Sequence, residues 1–164
     1  RYHYSVEVVC GEQPPRRPSS GHEHDEHDSH GEHSGHGDDE ALACAVVAGL
    51  YATAVTIYNP STCPAVIEKR FAPLVLHGKT IGREPDQVPA KPFAKLELEA
   101  GHATMDDCCA LEEAIGKGSG LVVGVLDIVS DRPLSVSAVH TGREPGGKPG
   151  GPSITTRTIE PLMA

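Results

Sequence analysis

The stretch LYATAVTIYNP, Leu50–Pro60, decides the fold class. Tyr51, Thr53, Val55 and Ile57 recur at every second position, which places them on one face of an extended strand. β-branched and aromatic side chains favour that pleated, half-buried setting. Asn59-Pro60 then stops the run, because proline brings no N–H to a ladder.

The same alternation recurs on both sides of this stretch. YHYSVEVVC (Tyr2–Cys10) reads as a strand. PAVIEKRFAP (Pro64–Pro73) and LVLHG (Leu74–Gly78) read as a second strand region broken at Pro73. GREPDQVPAKP (Gly82–Pro92) is a proline-rich connector. FAKLELEA (Phe93–Ala100) turns Leu96 and Leu98 inward and Lys95, Glu97 and Glu99 outward. GLVVGVLDIVS (Gly120–Ser130) is apolar on both faces, the pattern of a central strand. After the turn Asp131–Pro133, LSVSAVHT (Leu134–Thr141) is expected to pair antiparallel with its predecessor. SITTRTIEP (Ser153–Pro161) is a Thr-rich last strand, and it and the N-terminal strand are both read as edges open to strand addition from another subunit. The single helix falls in MDDCCALEEAIGKG (Met105–Gly118), capped by Asp106 or Asp107 and ended at Gly116.

These elements predict an all-β fold: an antiparallel β-sandwich of about seven strands, immunoglobulin-like in size, with one short helix. The immunoglobulin signature itself is missing, since the chain has no Trp. The 164 residues are read as one domain, 1–164, carrying a Pro/His/Asp-rich loop insertion over 11–40. With two Phe and four Tyr, the core is expected to be aliphatic.

That insertion holds GHEHDEHDSHGEHSGHGDDE (Gly21–Glu40), with six histidines, eight acids and no Lys or Arg. It accounts for −8 of the formal net charge of −9, so the remaining 15 acids and 14 bases nearly balance. No basic surface for nucleic acid is present, and no apolar run reaches the roughly 18 residues that span a bilayer. Imidazole suits zinc, copper and nickel, and neighbouring carboxylates complete or orient such a shell. The candidate ligands are His22, His24, His27, His30, His33 and His36 with Asp25 and Asp28. Gly21, Gly31, Gly35 and Gly37 argue against a helix, so the expected site is adaptive and loose. A solvated low-complexity linker would share this composition. The tract also titrates, moving from roughly −8 toward roughly −2 below a histidine pKa of about 6.5.

Five cysteines are present: Cys10, Cys44, Cys63, Cys108 and Cys109. No C-x-x-C occurs, which removes the usual zinc-ribbon and thioredoxin signals. One or two bridges are expected: Cys10 to the Cys108/Cys109 pair would fasten the helix to the sheet, and Cys44 and Cys63, flanking the clearest strand, are a second candidate pair. Either arrangement leaves one of Cys108 and Cys109 free or available to another chain. The chain opens at Arg1 directly into a strand, the pattern of a mature chain whose leader was removed.

No Ser-His-Asp elbow, phosphate loop or H-E-x-x-H motif appears. His77, His102 and His140 each lie at a strand end and would have to converge on one ion for a superoxide-dismutase-like enzyme.

YHYSVEVVCG (Tyr2–Gly11), YATAVTIYNPST (Tyr51–Thr62) and GLVVGVLDIVSDRPLSVSAVHTG (Gly120–Gly142) resemble a group of uncharacterised small exported bacterial proteins. That group shares a Tyr-x-Tyr-x-Val strand ending in Cys-Gly, an Asn-Pro-terminated strand and an Asp-Cys near the middle. The resemblance implies a small exported all-β domain and carries no chemistry. The function expected is a non-enzymatic exported subunit that self-assembles into a surface filament or other homopolymer and displays a metal-binding loop. The alternatives are a monomeric periplasmic metal-binding or metal-delivery protein and, third, the dismutase-like metalloenzyme. Extracellular or cell-surface placement follows from the first, periplasmic from the second.

Overall fold

A computed structural model describes residues 1–15, 46–144 and 153–163. The His/Asp tract and Cys44 lie outside these residues. The all-β class is as expected: among the described residues every strand pairing is antiparallel, and there is one short helix. The strands are β1 (Tyr2–Gln13), β2 (Gly49–Tyr58), β3 (Ala65–Leu76), β4 (Lys79–Thr80), β5 (Lys91–Leu98), β6 (Ala103–Asp106), β7 (Val122–Ser130), β8 (Ser135–Arg143), β9 (Ser153–Ile159) and β10 (Leu162–Met163). Helix α1 spans Cys108–Ile115 between β6 and β7.

The described residues form ten strands rather than about seven, joined in one hydrogen-bonded network. β7 is the central strand expected of its apolar sequence, with β1 on one side and β3 on the other. β5 and β4 lie beyond β3. A second set runs β6–β2–β8–β9. β1 belongs to both: Tyr2–Cys10 pair with β7, and Gly11–Gln13 pair with β2. The strand therefore runs on past Gly11, where a loop was expected. Gly11 has φ +95°, and a Cβ there would run into the Gly120 carbonyl. A residue with a side chain would be strained at this crossing.

Three further expectations are corrected. β8 pairs with β2 and β9, not with its predecessor β7. The turn after Ser130 carries the chain across to the other set, and the Tyr4 hydroxyl holds that corner. It accepts from the Leu134 N–H at 2.7 Å and donates to the Leu134 C=O at 3.1 Å, as a neighbouring strand would. Pro73 does not break its strand. β3 continues through it, and the register to β7 shifts between Pro73 and Val75. Opposite Pro73 lies Gly124, where a Cβ would sit 2.5 Å from the Ala72 carbonyl and the Phe71 ring, so only glycine lets the strands close there. Finally β1 is not a free edge along its whole length, because β10 pairs with Tyr2–His3.

Inward side chains of the two sets meet in one core. Tyr4, Val6, Val8, Ile67, Phe71, Leu126 and Ile128 pack with Val55, Ile57, Val136 and Ala138. α1 is shorter than its sequence segment because Ala103–Asp106 are a strand. The Asp107 side chain caps it by accepting from the Ala110 N–H, and Gly116 ends it. Leu111 is its buried anchor.

Candidate functional site

Among the described residues, two unpaired stretches of backbone and the cleft beside one of them are candidates to bind a partner. The first stretch is in β1. Antiparallel strands present their N–H and C=O groups alternately to either side. The Val9 N–H donates to Thr53 Oγ1 and the Val9 C=O accepts from it, both at 3.0 Å. Val9 thus faces away from β7, and by alternation so do Ser5 and Glu7. Between the short pairings with β10 and β2, no described strand meets those groups.

A cleft of about 450 Å³ opens along this gap. Ser5, Glu7 and Val9 form one wall, and Thr53, His140, Thr155 and Arg157 face them from the second strand set. Thr53 is buried, in the inward row of β2, and its hydroxyl sits 3.1 Å from His140 Nδ1. A hydroxyl has one hydrogen to give. With that hydrogen on the Val9 C=O, the Thr53 oxygen is left to accept from His140 Nδ1, which orients the ring in the cleft. The cleft therefore combines a cation on Arg157, a carboxylate on Glu7 and an oriented imidazole.

The second stretch is β9, the outer strand of its set. Its backbone orientation follows from β2. The Asn59 N–H donates to the His102 C=O, and the Asn59 C=O accepts from the Gly101 N–H. Odd-numbered residues of β2 therefore face β6, and even-numbered ones face β8. Carried through the register Ala54–Val139 and Ala138–Arg157, alternation turns Ser153, Thr155, Arg157 and Ile159 toward β8. Ile154, Thr156 and Thr158 present N–H and C=O outward, with no partner among the described residues. Ile154 is 65% exposed.

Of the residues singled out in the sequence, Cys10 and Cys108 are joined, with Cα atoms 5.6 Å apart. This bridge fastens α1 to β1 as expected. Cys63 and Cys109 are exposed and carry no bridge among the described residues. His22, His24, His27, His30, His33, His36, Asp25 and Asp28 lie outside the described residues. His77, His102 and His140 are held separately. His77 has φ 50° and abuts Gly118, His102 bonds the Ala100 carbonyl, and His140 rests on Thr53. No three His, Cys, Asp or Glu side chains gather as a metal site among the described residues.

The sequence reading missed two features. Lys69 and Asp106 form a buried ion pair joining β3 to β6. Its signal was a lysine in the inward row Ala65, Ile67, Lys69, Phe71. The Thr53–His140 pair likewise had a trace in a polar residue within the inward row of β2.

No helix of the described residues is long and apolar enough to cross a membrane. No protein-family model matches the chain, and no curated protein matches it significantly. Among solved structures it is similar to one described as the crystal structure of Thermotoga maritima 1070, with a TM-score of 0.48 and 9% sequence identity over 96% of this chain and 91% of that one.

Proposed function

We propose that this chain is an exported, non-enzymatic all-β module, its two strand sets packed as a sandwich, that assembles with copies of itself by strand addition. The observation that carries this reading is the open edge of β9. It is a seven-residue strand, rich in Thr and Ile, whose outward N–H and C=O groups lack a described partner. Native edges are commonly guarded by charged side chains, Pro or a bulge. Ser153–Ile159 carries a single charge, Arg157, and no Pro, and its pairing with β8 is unbroken. The Cys10–Cys108 bridge supports an oxidising compartment, extracellular or periplasmic. Light scattering after size exclusion, across a hundredfold range of concentration, tests the reading. Assembly that grows with concentration is expected, and a strict monomer throughout overturns it.

A second reading rests on the His/Asp tract. Six histidines within fifteen residues form a divalent-metal-binding loop for zinc, copper or nickel. If metal handling is the main role, untagged protein carries stoichiometric metal by elemental mass spectrometry and remains a monomer. In the assembly reading, binding is loose and weakens below pH 6.5 as the imidazoles protonate. The dismutase-like reading required His77, His102 and His140 on one ion, and the fold gives no support to that convergence.

A further inference from the structure

The assembly reading leaves the partner's orientation open, and the inference here rests on that reading. We infer that β9 pairs antiparallel with β9 of a second copy, about a two-fold axis passing through Thr156. Isologous pairing of one patch with itself is the commonest way for identical chains to close.

The register follows from which backbone groups are free. Ile154, Thr156 and Thr158 face outward, spaced symmetrically about Thr156. With the axis at Thr156, Thr156 exchanges both hydrogen bonds with the partner's Thr156. Ile154 does the same with the partner's Thr158, and Thr158 with the partner's Ile154. Every outward N–H and C=O of the strand is then satisfied. An axis at Thr155 leaves Thr158 opposite nothing in the partner's strand. An axis at Arg157 leaves Ile154 stranded and sets Arg157 directly against the partner's Arg157, a like-charge pair that costs stability.

The side chains agree with this choice. Arg157 is the one charged residue in Ser153–Ile159, and it faces the partner's Thr155. Ile154 and Thr156 lie on the face away from the core, where each meets a Thr of the second copy; β-branched cross-strand pairs of this kind stabilise sheets. The product is a continuous sheet, β6–β2–β8–β9 followed by the same strands in reverse order. It uses the β9 edge and leaves the β1 cleft and the β4–β5 edge free for further growth.

Disulfide trapping reads the register directly. In a C44S/C63S/C109S background, which keeps the Cys10–Cys108 bridge, two chains are made, one with Thr155→Cys and one with Arg157→Cys. Residues 155 and 157 oppose each other at a non-hydrogen-bonded position, where Cα atoms lie about 4.5 Å apart, within reach of a disulfide. Under a glutathione redox buffer each variant alone should remain uncrosslinked, and their mixture should give a covalent dimer on non-reducing gels. Self-crosslinking of either variant alone overturns the Thr156 axis. No crosslink in a mixture that light scattering shows to be oligomeric overturns β9 pairing while self-assembly stands. A strict monomer overturns both.

Discussion

Lys69 Nζ lies 2.5 Å from Asp106 Oδ1, in the core and away from water, and so ties the two strand sets together. The ammonium also lies 5.1 Å from the centre of the Phe93 ring. Asp106 Oδ2 has no hydrogen-bond partner among the described residues. Taking both charges out of water costs nearly what their attraction returns, so the pair is worth little against an apolar one. Removing one partner is different, because a buried charge is left uncompensated. Lys69→Met is expected to cost about 3–5 kcal/mol. Lys69→Met with Asp106→Leu is expected to recover most of that loss. Urea denaturation of the two single variants and the double gives the coupling, and an additive result would remove the pair's structural role.

The Cys10–Cys108 bridge closes a loop of 98 residues. Cross-linking so distant a pair restricts the unfolded chain, and loss of a native bridge costs about 2–5 kcal/mol. A reductant should therefore lower the melting temperature by many degrees. Replacing Cys63 and Cys109 by Ser should leave it within a degree or two. A reduced protein that melts with the oxidised one would show that the bridge contributes nothing to stability.

Tyr4 gives the protein an alkaline limit. Burial is the main cause holding its phenol above the ordinary value of 10.0, against the Leu134 hydrogen bond that lowers it. As pH rises through the unfolded value, the unfolded chain loses this proton first. Stability is fully present below pH 10 and falls above it. Tyr4→Phe should flatten that alkaline decline. It should also cost about 1–3 kcal/mol at neutral pH, because the Leu134 N–H and C=O lose their partner. Denaturant melts from pH 8 to 11 measure both effects, and an unchanged alkaline slope would dissociate Tyr4 from the limit.

Alternation along β9 makes a single-residue distinction. The Thr156 N–H faces outward, so Thr156→Pro should spare the ladder to β8 and abolish assembly. The Thr155 N–H bonds His140 across that ladder, so Thr155→Pro should lower the melting temperature as well. Melting curves and light scattering on the two variants separate the effects. Equal destabilisation would contradict the backbone orientation derived for this edge.

Much of the fold was legible in the sequence, because a period of two reports which face of a strand is buried. Thr53, Val55 and Ile57 on β2 and Leu98 on β5 are buried as their alternation requires. The same pattern is silent about neighbours. β8 crosses to the second set because a hydroxyl at Tyr4, 130 positions from Leu134, takes the place of a strand. β10 pairs through two residues, too short for any period to register. Pro73 looked like a break because its missing N–H was weighed without Gly124 opposite it. A bridge from Cys10 to the Cys108/Cys109 pair was legible because Cys10 ends an apolar strand segment and the pair opens the helix, while the choice of Cys108 was not. The His140–Thr53 contact was not, since 87 residues separate its members.

The sharing of β1 between both strand sets has a consequence for biosynthesis. Its partners are encoded at Gly49–Tyr51, Val122–Ser130 and Leu162–Met163. A nascent chain carries β1 without its central neighbour until residue 130 has left the ribosome. The middle of the sheet therefore closes late, and such non-local pairings fold slowly. Until then the apolar row Tyr4, Val6 and Val8 remains a target for chaperones or for the same strand on a neighbouring polysome.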